Sequence, residues 1–164
     1  MDGPQMWGSA DLDEDEFVER FERCEYPNDK FRHPDHIRLA WIYIRRCGLP
    51  EGEARMAASI RRFAISLGHE EKYHATMTRA WMRLVYAAYR ATPMTRDFGR
   101  FLGSHMWLID KGTLDAFYSQ TLLTSGAARH HWVEPDVQDL PELAAPVLEK
   151  ENLSAQQRPA LISC

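Results

Sequence analysis

The sequence predicts an all-α chain, a single-domain bundle of five to six helices followed by an irregular C-terminal tail. Three observations predict it. Apolar residues recur at helical spacing along most of the chain, short Pro- and Gly-bearing turns separate these stripes, and no alternating run of useful strand length occurs. The 164 residues, 45% hydrophobic and 27% charged, suffice for a real core and have the balance of an ordinary globular domain.

The elements follow in order. Asp13 and Glu16 make a capping-box-like start, and Phe17, Phe21 and Cys24 form the apolar stripe of a first helix over about 14–25. Pro27-Asn28-Asp29 closes it as a turn. The second helix opens in Phe31-Arg32-His33-Pro34-Asp35-His36, with Pro34 at the first helical position, where a missing N–H costs nothing. Ile37, Ala40, Trp41 and Ile44 are its core stripe, and Cys47-Gly48 ends it with a glycine free to adopt a left-handed cap. A third helix, roughly 51–67, turns Met56, Ile60, Phe63, Ala64 and Leu67 inward and stops at Gly68. The fourth begins in Lys72-Tyr73-His74 and runs to about Thr92, with Met77, Trp81, Leu84 and Ala88 on one stripe. Phe98, Phe101 and Leu102 mark a short helix, Leu114, Phe117 and Tyr118 another, and Ser125 caps a last turn before Arg129. The helical domain is drawn at 13–132. Residues 1–12 are expected to lie loosely over the surface, and 133–164, with four prolines, to form a tail.

Composition excludes some functions. A formal charge of −4 argues against an electrostatic nucleic-acid binder, and the paired arginines at 45–46 and 61–62 read as solvated helix faces. Cys24, Cys47 and Cys164 contain no Cys-x-x-Cys pair, so reduced thiols are expected rather than a zinc site or a disulfide scaffold. No segment reaches the ~20 apolar residues of a membrane span, and the N-terminus has neither a basic nor an apolar signal region. The expected location is cytoplasmic. No cofactor is expected; the expected partner is a small-molecule substrate or ligand, with no nucleic acid and no membrane, and a homodimer is left open.

The candidate chemistry lies in two histidine-bearing stretches. If Pro34 is the first helical residue, His36 is the third, in the positive end of the helix dipole, which favours neutral imidazole. His74 falls on or beside an apolar stripe, and Thr78 is its neighbour one turn on. A lone histidine on such a face is as often a hydrogen-bonded core residue as a functional one; the second cluster tilts the balance towards function.

The chain reads Phe31, His33, His36, Ala40, Trp41 and Tyr43, then Lys72, Tyr73, His74, Thr76, Thr78 and Trp81, then Tyr118-Ser119, Leu122, Ser125, Ala128-Arg129 and Trp132 through Asp136 with Leu140-Pro141. In these motifs it resembles a widespread bacterial family of small all-helical proteins, marked by Phe-x-His-x-x-His and Lys-Tyr-His-x-Thr-x-Thr. The resemblance covers about residues 17–141 and implies no particular activity. Where that family usually places Glu after Lys-Tyr-His, this chain has Ala75, so a carboxylate able to hold a metal or orient a base is missing.

Three readings are open. In the first, His36 and His74 serve one pocket as acid–base groups acting on a small charged metabolite, by elimination, isomerisation or ring closure. Lys72, Tyr73 and Arg129 would hold the anion, and Thr76, Thr78, Ser119 and Tyr43 would line or orient the substrate. A second reading makes His33, His36 and His74 metal ligands, with Asp35 or Glu70; it carries about half the weight of the first, and the leading assignment has no metal. The third is a non-catalytic ligand-binding module walled by Trp41, Tyr43, Tyr73, Trp81 and Tyr89. His105, His130 and His131 are read as surface residues.

Overall fold

The computed structural model describes residues 7–142. Among them lie six α-helices and four short 3₁₀ turns, with no strand. Helix α1 (Glu14–Glu22) starts as its sequence requires: the Asp13 carboxylate accepts the Glu16 N–H at 2.8 Å, and Phe17, Val18 and Phe21 face inward. A 3₁₀ turn over Asn28–Lys30 leads into α2 (His33–Ser66). This long helix is broken at Gly48, where φ is 76° and ψ 178°, values a side chain would resist. The expected second and third helices are therefore two limbs, 33–47 and 49–66, meeting at a kink. They pass so closely that a Cβ on Gly52 would lie 3.4 Å from the Tyr43 carbonyl.

Helix α3 (Ala75–Ala91) packs along α2 and is followed by α4 (Phe98–Ser104), 3₁₀ turns over Met106–Ile109 and Lys111–Ala116, α5 (Gln120–Leu123) and α6 (Gly126–His130). Asp97, Ser119 and Ser125 cap α4, α5 and α6 with their side-chain oxygens. The core holds Trp41 stacked on Phe101 at 5.2 Å, with Phe17, Phe21, Leu84 and Met82 fully or almost fully enclosed. No helix among the described residues is long and apolar enough to cross a membrane.

Four expectations change. First, residues 7–12 do not lie loosely. The fully buried Asp35 carboxylate accepts the Gly8, Ser9 and Arg32 N–H groups and the Ser9 hydroxyl, the last at 2.6 Å. Arg38 donates to the Ser9 and Leu12 carbonyls, and Trp7 sits edge-on to Phe98. A buried carboxylate in need of donors ties the segment down. Second, the start of the tail is packed: Asp136 accepts the Ser119 hydroxyl and N–H, and Trp132 lies beneath the Arg79 and Arg83 guanidiniums. Residues 143–164, with Pro146 and Pro159, lie outside the described residues.

Third, His105 is not a surface residue. It is buried, its Nε2 2.9 Å from the Thr92 hydroxyl. Fourth, Arg45 and Arg46 do not form a merely solvated helix face but pair with Glu14 and Asp15 of α1. Cys24 is a free thiol.

Candidate functional site

A cleft of about 750 Å³ lies between the first limb of α2, the second limb's Met56 and Ile60, the start of α3 and the 109–111 segment. His36 and His74 both line it, as do Lys72, Tyr73, Thr78 and His33. The two histidines are used differently.

His36 sits in the first turn of α2, one position further in than expected, because the helix opens at His33. Its ring stacks on Phe31, centroids 4.0 Å apart and planes at 30°. Phe31 is itself wedged against Phe21 and Phe63 at 4.5 and 5.5 Å, so α1 and the second limb of α2 hold the imidazole in place. Neither ring nitrogen of His36 has a hydrogen-bond partner among the described residues. Burial, helped by the neighbouring His33 and Lys111 charges, pushes its pKa down to about 3. At neutral pH the ring is neutral and its lone pair is unengaged.

His74 has no unengaged nitrogen. It is the N-cap of α3: Nδ1 accepts the Met77 N–H at 3.1 Å, and Nε2–H donates to the Leu123 carbonyl at 2.8 Å. Both bonds require the neutral ring protonated at Nε2, and burial lowers its pKa in the same sense. An imidazole thus fastens the start of α3 to α5. His33 is also tethered, Nε2–H donating to the Leu108 carbonyl at 2.8 Å, and its ring meets Trp81 edge-on at 4.6 Å.

Lys72 and Tyr73 end the 3₁₀ turn over Glu70–Lys72, where α3 is about to begin, and the Thr78 hydroxyl donates to the His74 carbonyl at 2.8 Å. Burial raises the Tyr73 phenol. Four of the expected substrate-binding residues do not line the cleft. Thr76 is fully buried, bonding the His131 carbonyl at 2.7 Å and accepting the Val133 N–H. Ser119 caps α5 and bonds Asp136. Tyr43 is in the core, donating to Glu22 at 2.8 Å and accepting from Ser59. Arg129 donates to the Glu71 carbonyl at 2.7 Å, bracing from behind the turn that carries Lys72. Each is drawn off by a buried or nearby acceptor that the sequence does not display.

Sequence reasoning missed Arg32, Lys111, Ile109 and the floor methionines Met56 and Met82. Ile109 and Lys111 come from two 3₁₀ turns far along the chain, and nothing local marks them. Arg32 stands inside the Phe-x-His motif and could have been noticed there. The lining includes three cations, Arg32, Lys72 and Lys111, and no carboxylate, in a chain whose net charge is −4. None of the three cations makes an ion pair among the described residues. No group of three or more His, Cys, Asp or Glu side chains there is placed to hold a metal ion. The alternative triad of His33, His36 and His74 is therefore not assembled, since His33 and His74 are bonded to backbone and Asp35 to the N-terminal segment.

What the arrangement can do is limited by two facts. The cleft sets three cations around a largely apolar lining, and it offers one imidazole without a hydrogen-bond partner. A base with so low a pKa is weak by itself. An anion placed beside it would favour the protonated ring and raise that pKa towards the useful range. No family model, no curated protein and no solved structure matches this chain.

Proposed function

We propose that the protein is a small-molecule enzyme whose cleft binds an organic anion and whose His36 removes a proton from it. One observation carries the reading: an imidazole with no partner at either nitrogen stands in a cleft lined by unpaired cations and by no carboxylate. Arg32, Lys72 and Lys111 would hold the anionic group and stabilise charge that develops on the substrate. Tyr73 and Thr78 would orient it by hydrogen bonds. His74 acts here as a positioning residue, since its bonds set the start of α3, from which Met77, Thr78 and Trp81 face the cleft. The reaction class is proton abstraction from a small charged metabolite, leading to elimination, isomerisation or ring closure.

The test needs no known substrate. A panel of carboxylates bearing a C–H next to a carbonyl is incubated with the protein in deuterium oxide, and solvent exchange at carbon is followed by NMR. Exchange with the parent protein that is lost in His36→Ala, at equal melting temperature, is the expected result. Binding without exchange for every member would favour the second reading, a non-catalytic ligand-binding module. That reading draws on the low pKa of His36, which suits a binding surface better than a base.

A further inference from the structure

Beside the cleft lies a second, smaller hollow of about 170 Å³. The two share Phe31, His36, Ile60, Lys72 and Tyr73, so these residues stand between them and face both. Beyond that boundary the small hollow is walled by Phe63 and Ala64 of the second limb of α2 and by Leu67 at its C-cap, together with Asn28 and His69. Leu67 is 40% exposed, a large apolar side chain left partly in water beside an apolar recess. On the cleft side, Met56 and Met82 are buried on the floor and Met77 is 37% exposed at the wall. Methionine is the side chain best able to adapt to a flexible apolar chain. The cations are all exposed: Arg32 just before α2, Lys72 at the end of the 3₁₀ turn before α3, where it lines both spaces, and Lys111 at the start of the 3₁₀ turn over Lys111–Ala116.

We infer that the ligand is an elongated amphipathic anion, with its head among Arg32, Lys72 and Lys111 and its apolar chain running past the Phe31–His36 pair into the second hollow. The inference rests on the anion-binding part of the proposed function and adds the substrate class. Together the two spaces lie within the ~300–1,000 Å³ common for small-molecule sites, large enough for a chain of several carbons and a compact head. A chain laid along this path would pass the free imidazole, which places the carbons near the head closest to His36.

The experiment is a calorimetric binding series with straight-chain carboxylates from butanoate to dodecanoate, all below their micellar concentrations, and matching alkylamines as controls. Affinity is expected to rise about fourfold per methylene, the equivalent of ~0.8 kcal/mol per buried CH₂, and then to level off. The amines are expected not to bind. Ala64→Phe, which narrows the second hollow, should bring the levelling-off to shorter chains and leave butanoate affinity unchanged. Leu67→Trp, at an exposed wall position, is the second variant should Ala64→Phe melt early. Carboxylate binding with no dependence on chain length, or a levelling-off that neither variant moves, overturns the inference while leaving anion binding intact. Equal binding of amines overturns the anionic head, and no carboxylate binding at any length overturns both this inference and the function on which it rests.

Discussion

Two histidines that look alike in the sequence differ because of what each nitrogen finds. His74 meets a backbone N–H on one side and a carbonyl on the other, and so becomes a cap. His36 finds a phenylalanine face and no polar partner, and so keeps its lone pair. The difference predicts separable effects. His74→Ala removes an N-cap and a buried hydrogen bond and should cost about 1–2 kcal/mol in urea unfolding. His74→Asn, a good capping residue, should recover part of that loss. His36→Ala should cost less stability than His74→Ala and more of any anion-dependent activity. Equal destabilisation by the two changes would mean that His36 is packing as well.

At the scale of elements, α3 shows how a correct helix can be given the wrong inward face. Its enclosed positions are Thr76, Ala80, Leu84 and Ala88, with Met82 and Val85 beside them. Met77 and Trp81 lie one residue round from that line and turn towards the cleft, which is why an apolar stripe that reads as core includes a binding wall. Ile60 is displaced from the core in the same way. The expected cost of emptying each tryptophan site changes accordingly. Trp41, fully enclosed against Phe98 and Phe101, should lose ~3–5 kcal/mol on change to Ala. Trp81→Ala should lose clearly less stability, and its main effect should be on ligand affinity. Thermal and urea unfolding of the two variants, beside carboxylate binding, checks both halves.

Across the whole molecule, burial lowers the pKa of four histidines, His33, His36, His74 and His105. Unfolding returns each to about 6.5, so below that pH the unfolded chain takes up protons that the folded one refuses. Stability is therefore complete above about pH 6.5 and falls as pH drops from there, for His36 down to about 3. A fully shifted group contributes up to ~1.4 kcal/mol per pH unit across its window. The melting temperature should begin to decline near pH 6.5, well before ordinary carboxylates protonate, and the decline should be shallower in His36→Phe. A melting temperature level from pH 8 to pH 5 would contradict this. Bound anion should oppose the fall, because it favours the protonated ring in the folded state.

The sequence by itself determined the class of the fold, its helices and their breaks. Helical periodicity, caps such as Asp13 and Ser125, and the positive φ that only Gly48 accepts readily are local properties, written within a few residues of where they act. It also marked the two segments that meet at the cleft. Tertiary structure decided which groups remain free there. Thr76, Ser119, Tyr43 and Arg129 were claimed by partners between 16 and 58 residues away, and the 7–12 segment by Asp35. Lys111 was brought to the cleft from a 3₁₀ turn far along the chain. A polar side chain's freedom depends on every donor and acceptor the fold brings near it, and that is a property of the packed chain, not of its order.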